Sequence, residues 1–360
     1  MWNQAAVYRR RRRTFAASAL VVLVLIIIIA TSSGGGTKLP PRSSVTTHPV
    51  SLPQSPAPLT YNTVSSLTEP VRASSATRLP GSAAFSLLGG LDSQANGTSG
   101  IGEITSTSTK VVGYLPVSLF AAAAVTIGSD EYIFGGATGS SASPTPEQGI
   151  LQYDVLSSNA TVTEIAHLPS ANYGLGAAVI GSTAYIVGGD NGTTTLDTIV
   201  SWHPGGQAAV AGTLPVALRY AAVAAVSGRI VIAGGLLANN AASRQVFIFD
   251  PTTHKVSTLR VQLPKGIYAA SGASLGKLAY VIGGAYPTGA ATNPTATAVD
   301  TIYSVDPISG KLATAGSLTA GTRAEAVAVK VGDEIYLAGG LTGTSTTAAV
   351  GTLTATTKAG

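Results

Sequence analysis

An all-β fold is predicted, a six-bladed β-propeller preceded by one N-terminal transmembrane or signal helix, and three observations carry it. Six glycine doublets recur, Gly89-Gly90, Gly135-Gly136, Gly188-Gly189, Gly234-Gly235, Gly283-Gly284 and Gly339-Gly340, each closing an apolar run such as FSLLGG, YIVGG or YLAGG. Their first glycines lie roughly 46, 53, 46, 49 and 56 residues apart, and strand-like units at a period near 50 mark a radial array of blades. Charged residues make up only 10% of the chain while Gly, Ala, Ser and Thr abound, a mixture suited to short strands and small-residue turns.

The chain begins with an address. Residues 1–13, with Arg9 to Arg13, read as a basic cytoplasmic n-region, and Phe15–Ala30 follow without a charge. A basic cluster before an apolar stretch stays inside, so the remainder is expected to be translocated. Sixteen helical residues span about 24 Å, a little short of a ~30 Å hydrocarbon core unless Thr14 and Thr31–Ser33 contribute. Residues 14–33 therefore read either as a transmembrane signal anchor or as a signal peptide cut near Ala30-Thr31-Ser32. Arg12-Arg13-Thr14-Phe15 fits a twin-arginine export signal as well as a plain positive-inside run. Residues 34–58, rich in Ser, Thr and Pro without an apolar period, are expected to form a stalk. The propeller is assigned to 59–360.

One repeat shows how a blade is built. Leu168 to Gly189 reads LPSANYGLGAAVIGSTAYIVGG: a Leu-Pro turn, a small-residue strand, a hairpin at Gly181 and a second strand ending at the doublet. Equivalent hairpin glycines are Gly81, Gly128, Gly228, Gly276 and Gly332, six to eight residues before each doublet, a spacing that fits short hairpin loops. Beyond each doublet a loop of variable length leads to a third strand ending in an aromatic, as at Tyr153, Trp202, Phe249 and Tyr303, and then to a fourth. The longest of these loops, 137–149 and 285–299, are expected to be padding. Gly is favoured where strands stop and backbones crowd, as near a propeller axis.

This phrase, repeated in phase over about residues 61–356, resembles the kelch repeat, which implies a kelch-type propeller. Kelch repeats usually carry a Trp in the fourth strand, where this chain has Val162, Val256 or Leu312; Trp202 stands on a third strand. After Gly340 only one further strand fits before the end of the chain. Tyr61–Leu67 is therefore expected to supply the missing outer strand of the last blade, which removes exposed edges.

Rotational repetition places equivalent positions in rings. The start of the inner strand gives Arg72, Leu119, Asn172, Arg219, Ile267 and Arg323; the next position gives Ala73, Phe120, Tyr173, Tyr220, Tyr268 and Ala324. The kelch resemblance implies that these stand near the mouth where partners bind. Arg72, Arg219 and Arg323 with Phe120, Tyr173, Tyr220 and Tyr268 are the candidate ligand-binding set, suited to an acidic sugar or peptide through charge-assisted bonds and stacking. The plainer reading comes first: the aromatics would wedge blades and the arginines pair with Glu69, Glu325 or backbone carbonyls.

Several classes of function drop out. The net charge of +5 resides in Arg9 to Arg13, and the rest carries 16 basic and 16 acidic residues, so no nucleic acid is expected as a partner. With no Cys, disulfides and thiolate chemistry are excluded. The four histidines form no zinc pattern, and DNGT at 190–193 and LDSQANG at 91–97 read as turns rather than calcium loops. No catalytic residue, metal or cofactor is assigned. Some kelch-like propellers are sugar oxidases or sialic-acid epimerases. The oxidases need a cysteine-modified tyrosine, which this chain cannot make, and an epimerase would need an acid/base pair, for which Glu325 with Arg323 or Arg72 is the candidate. Asn96, Asn159 and Asn191 begin Asn-x-Thr sequons. The function expected is a non-catalytic, extracytoplasmic binding or scaffolding module at the cell membrane, or secreted after cleavage, with a protein or cell-surface glycan partner. The alternative is a carbohydrate-active enzyme, epimerase- or mutarotase-like, using the funnel.

Overall fold

The structure is a computed structural model that describes residues 52–155, 161–288, 295–319 and 321–356. The expected N-terminal helix and the basic run lie outside the described residues. Among the described residues no helix is long and apolar enough to cross a membrane.

The described chain forms six four-stranded antiparallel sheets. In blade three the strands run outward in chain order, Gly176–Ile180, Thr183–Val187, Thr198–Trp202 and Ala209–Thr213, and blades one, two, four and five repeat that order. The second strands are mostly apolar and buried because both of their faces are covered; Phe85–Leu91 is buried throughout, and the second strand of blade two, Asp130–Phe134, includes the buried Glu131. Outer strands such as Ala209–Thr213 are half exposed. Trp202 fills the gap between blades two and three, edge-on to Tyr132 at 4.9 Å and Phe134 at 5.6 Å, so the wedge is supplied from a third strand.

Blade six is closed by the N-terminal strand. Leu59–Ser66 pairs antiparallel with Ala349–Ala355, from Leu59 opposite Ala355 to Ser66 opposite Ala349. Tyr61, 2% exposed, is central to the closure: a Cβ at Gly351 would fall 2.3 Å from its ring. The stalk assignment, by contrast, runs too far. The Ser55 N–H donates to Thr314 O at 2.7 Å, the Thr314 N–H to Pro53 O at 2.8 Å, and the Tyr280 hydroxyl to Ala57 O at 3.0 Å. Residues 53–57 thus cover the outer edge of blade five, because its last strand would otherwise leave backbone donors unpaired.

The loops expected as padding hold ribbons. Ala137–Ser140 pairs with Ser143–Pro146, and Ala285–Thr288 with Thr295–Ala298. The first brings Ser141 and Pro144 over the mouth.

Two closed hydrogen-bond rings join the blades. The second glycine of each doublet donates its N–H to a carbonyl of the next blade at 2.7–2.8 Å, ending with Gly340 to Val71. A Cβ on the first glycine would sit 2.1–2.4 Å from that carbonyl oxygen in all six blades. Nearer the axis, the N–H of Ala121 bonds Ala73, Gly174 bonds Ala121, Tyr220 bonds Gly174, Ala269 bonds Tyr220, Glu325 bonds Ala269 and Ala73 bonds Glu325, at 2.6–2.9 Å. All six of these residues have φ between +50° and +64°.

Candidate functional site

The axial ring forms the floor of a mouth cavity of about 360 Å³. Its wall is set by short backbone bridges that pair Arg72 with Leu91, Phe120 with Ala137, Tyr173 with Asp190, Arg219 with Leu236, Tyr268 with Ala285 and Ala324 with Leu341. These bridges fix the true equivalence of positions, which differs from the rings counted in sequence. Arg72 and Arg219 share a ring with Phe120, Tyr173, Tyr268 and Ala324, whereas Tyr220 and Glu325 belong to the next ring with Ala73, Ala121, Gly174 and Ala269. The slip arose at two hairpins. In blade four, Val226 pairs with Arg229, so Ser227 stands where Gly128 or Gly181 stands elsewhere. In blade one, Arg78 pairs with Phe85 across a longer loop. Counting from a glycine that occupies a different turn position displaces the ring by one residue.

Six of the seven candidates, Arg72, Phe120, Tyr173, Arg219, Tyr220 and Tyr268, line the cavity together with Glu325. Arg323 does not. It is 3% exposed and lies inside blade six, donating to Gly339 O at 3.0 Å, to Ala349 O at 3.4 Å and to the Tyr61 hydroxyl at 3.3 Å. Its position equals that of Asn172, whose side-chain amide donates to Gly188 O at 2.7 Å. Both side chains point beneath their own doublet, and Arg323 ties the closing strand to blade six.

The two remaining arginines are already neutralised. Arg72 forms an ion pair with Glu325 across the joint of blades one and six. Arg219 pairs with Asp190 at 2.8 Å and donates to Asn240, with its guanidinium 5.9 Å from the Tyr220 ring. Asp190 belongs to the DNGT stretch, where it also accepts from Gly192 N and from Thr195 Oγ1. Asp92, in the other acidic loop, accepts from the N–H groups of Gln94 and Asn96. Turn geometry occupies both carboxylates. Among the described residues no group of three His, Asp or Glu is placed to hold a metal.

Aromatics complete the wall. Tyr173 and Tyr220 meet edge to face at 6.3 Å, and Tyr220 lies against Gly174, where a Cβ would come within 2.9 Å of the ring. Burial, followed by the Glu325 carboxylate, raises the Tyr268 phenol above its usual range. Burial, then neighbouring Tyr173 and Glu325, pushes Tyr220 upward too, and burial with Asp190 raises Tyr173. All three phenols therefore stay protonated at neutral pH. They offer O–H donors and flat faces beside one carboxylate. A site so balanced suits an uncharged, hydrogen-bonding ligand better than an acidic one.

A family model, the KLHDC2/KLHL20/DRC7 Kelch-repeats domain, matches residues 121–340. The chain belongs to the kelch-repeat family. The match covers blades two to five and part of six, so the kelch phrase read from the doublets is the family's own. A comparison with curated protein sequences finds no match. Among solved structures, that of YjhT is similar with a TM-score of 0.67 at 18% identity, over 80% of this chain and 95% of that one. At that identity the likeness concerns the fold. Kelch propellers commonly bind proteins, and a partner-binding scaffold is the general role of the fold.

Proposed function

We propose that this kelch propeller is a non-catalytic binding module whose mouth takes an uncharged, hydrogen-bonding segment of a protein partner. One observation carries the reading: Phe120, Tyr173, Tyr220 and Tyr268 converge on a cavity of about 360 Å³ whose arginines face it only as ion pairs. Aromatic anchors in a concave, mostly dry site are the usual source of affinity. The run Arg9 to Arg13 ahead of Phe15–Ala30 supports tethering to the cell membrane with the propeller on the extracytoplasmic side.

Panning a displayed random-peptide library on the full chain tests the mouth. Peptides poor in Asp and Glu are expected, and Tyr220→Ala or Tyr268→Ala should weaken them by about tenfold or more. Selection of acidic peptides, or indifference to both substitutions, would sink the proposal. A second reading, a carbohydrate-active enzyme of epimerase or mutarotase type, is favoured by Glu325 acting on the electrostatics of both Tyr220 and Tyr268. Under that reading Glu325→Ala abolishes turnover of a sugar; under the first it alters binding alone.

A further inference from the structure

The bore has a second end, and its chemistry is the reverse of the mouth. Side chains on one face of a strand recur every second residue, so the inner strands line the bore in layers below Arg72 and its ring. The first two layers hold only Ala, Ser, Gly, Leu and Val, among them Ser74, Ala122 and Leu175, then Ala76, Ala124 and Ala177. The last layer brings Arg78 of blade one and Lys330 of blade six into a cavity of about 390 Å³, with Thr126 and Ser274 beside them. Blades one and six are neighbours, joined through Gly340 to Val71 and through Ala73 to Glu325.

No carboxylate lines this cavity. Arg72 and Arg219 each have an acidic partner, whereas neither Arg78 nor Lys330 enters an ion pair among the described residues. The carboxylates of the adjoining hairpins lie outside the wall: Asp130 accepts from the Tyr132 hydroxyl, and Asp333 and Glu334 belong to the hairpin in which Val331 pairs with Glu334. Arg78 and Lys330 are exposed toward the ends of their strands, and two unneutralised cations on a concave wall concentrate positive potential there. Outside the described residues the sequence has no Asp or Glu that could fill the cavity. Residues 1–51 contain no Asp or Glu, and all 16 carboxylates lie within the described residues.

We propose that this far mouth is a second binding site, one that receives an acidic segment of another protein. Arg78 and Lys330 grip carboxylates there, while Ser274 offers a hydroxyl donor; the Thr126 hydroxyl already donates to the Arg78 carbonyl oxygen at 2.6 Å. With the opposite mouth suited to uncharged ligands, the propeller then holds two partners of different chemistry on its two faces. The far site stands on its own residues and does not depend on the reading of the first mouth.

The probe is an oligoglutamate peptide carrying a fluorophore, titrated with the full-length protein and followed by anisotropy at low and at physiological salt. Binding is expected at low salt, weakened at physiological salt. The double variant Arg78→Ala/Lys330→Ala should lose about tenfold or more in affinity. Arg229→Ala, whose guanidinium already pairs with Asp250 at 3.2 Å, should bind as the wild type does. Matching melting midpoints for the variants would exclude unfolding as the cause of a loss. No binding at low salt, undiminished binding by the double variant, or an equal loss in Arg229→Ala would each overturn the proposal. Self-association abolished by the double variant would assign the cavity to a second copy of the chain and overturn the assignment to another protein.

Discussion

At the first glycine of each doublet two separate effects act against a side chain, and Gly283 and Gly332 allow them to be told apart. Both are left-handed, with φ of +63° and +60°. A Cβ at Gly332 meets nothing within 4 Å, while one at Gly283 falls 2.1 Å from the Arg323 carbonyl oxygen. Gly332→Ala should therefore cost only the conformational penalty, about 1–2 kcal/mol. Gly283→Ala must also part blades five and six, and a loss above roughly 3 kcal/mol is expected in urea unfolding. Equal losses would remove the blade-contact explanation of the doublets. A second residue-scale case is Glu131, fully buried between blades one and two, where one carboxyl oxygen accepts from Ser86 Oγ at 2.7 Å and the other has no partner. Burial raises its pKa from 4.5 to about 8, the Ser86 bond opposing. Between those values the folded state holds a proton that the unfolded chain has released. Stability is then fully present below pH 4.5 and is lost as pH rises toward 8, with a slope approaching ~1.4 kcal/mol per pH unit. Glu131→Gln should remove that slope; an unchanged pH profile of stability would contradict the account.

At the scale of the element, the decisive piece is the strand Leu59–Ser66. It covers Leu353, Leu337 and Ile335, all fully buried, and it brings Tyr61 to Arg323. Without it blade six loses its outer sheet partner, and a buried guanidinium loses one of its few acceptors. Deleting residues 59–66 should lower the melting midpoint of the whole propeller by roughly 10 °C or more. Deleting 52–55 removes only an edge cover on blade five and should cost a few degrees. Similar midpoints for the two deletions would mean that closure does not depend on this strand. The strand was legible beforehand because a count of four per blade left one missing after Gly340. The role of 52–58 was not, because a Ser- and Pro-rich segment without an apolar period carries no signal for pairing with one strand edge.

Over the whole molecule, charge is arranged by depth along the axis. The mouth has its cations neutralised, the middle of the bore has none, and the far end has two left free. Binding at the mouth should thus change little with salt, while oligoglutamate binding at the far end should fall steeply. The candidate site was partly legible. The phase of the doublets pointed to six residues that do meet at the mouth, and to Glu325. Asp190 was hidden in a turn motif, and its bond to Arg219 connects residues of neighbouring blades, which no local pattern encodes.

The sequence by itself determined the architecture: the number of blades, the strands within each, the closing strand and the need for glycine at the blade joints. These follow from period, apolar runs and backbone sterics, which are local properties repeated in phase. Only the tertiary structure decided what each charged side chain is for. One hairpin residue more or less rotates a position out of its ring, so that Arg323 turns inward beneath a doublet while Arg72 and Arg219 reach the cavity as ion pairs. Electrostatic partnership depends on distances across blade joints, and those are set by how the ring closes rather than by any stretch of the chain.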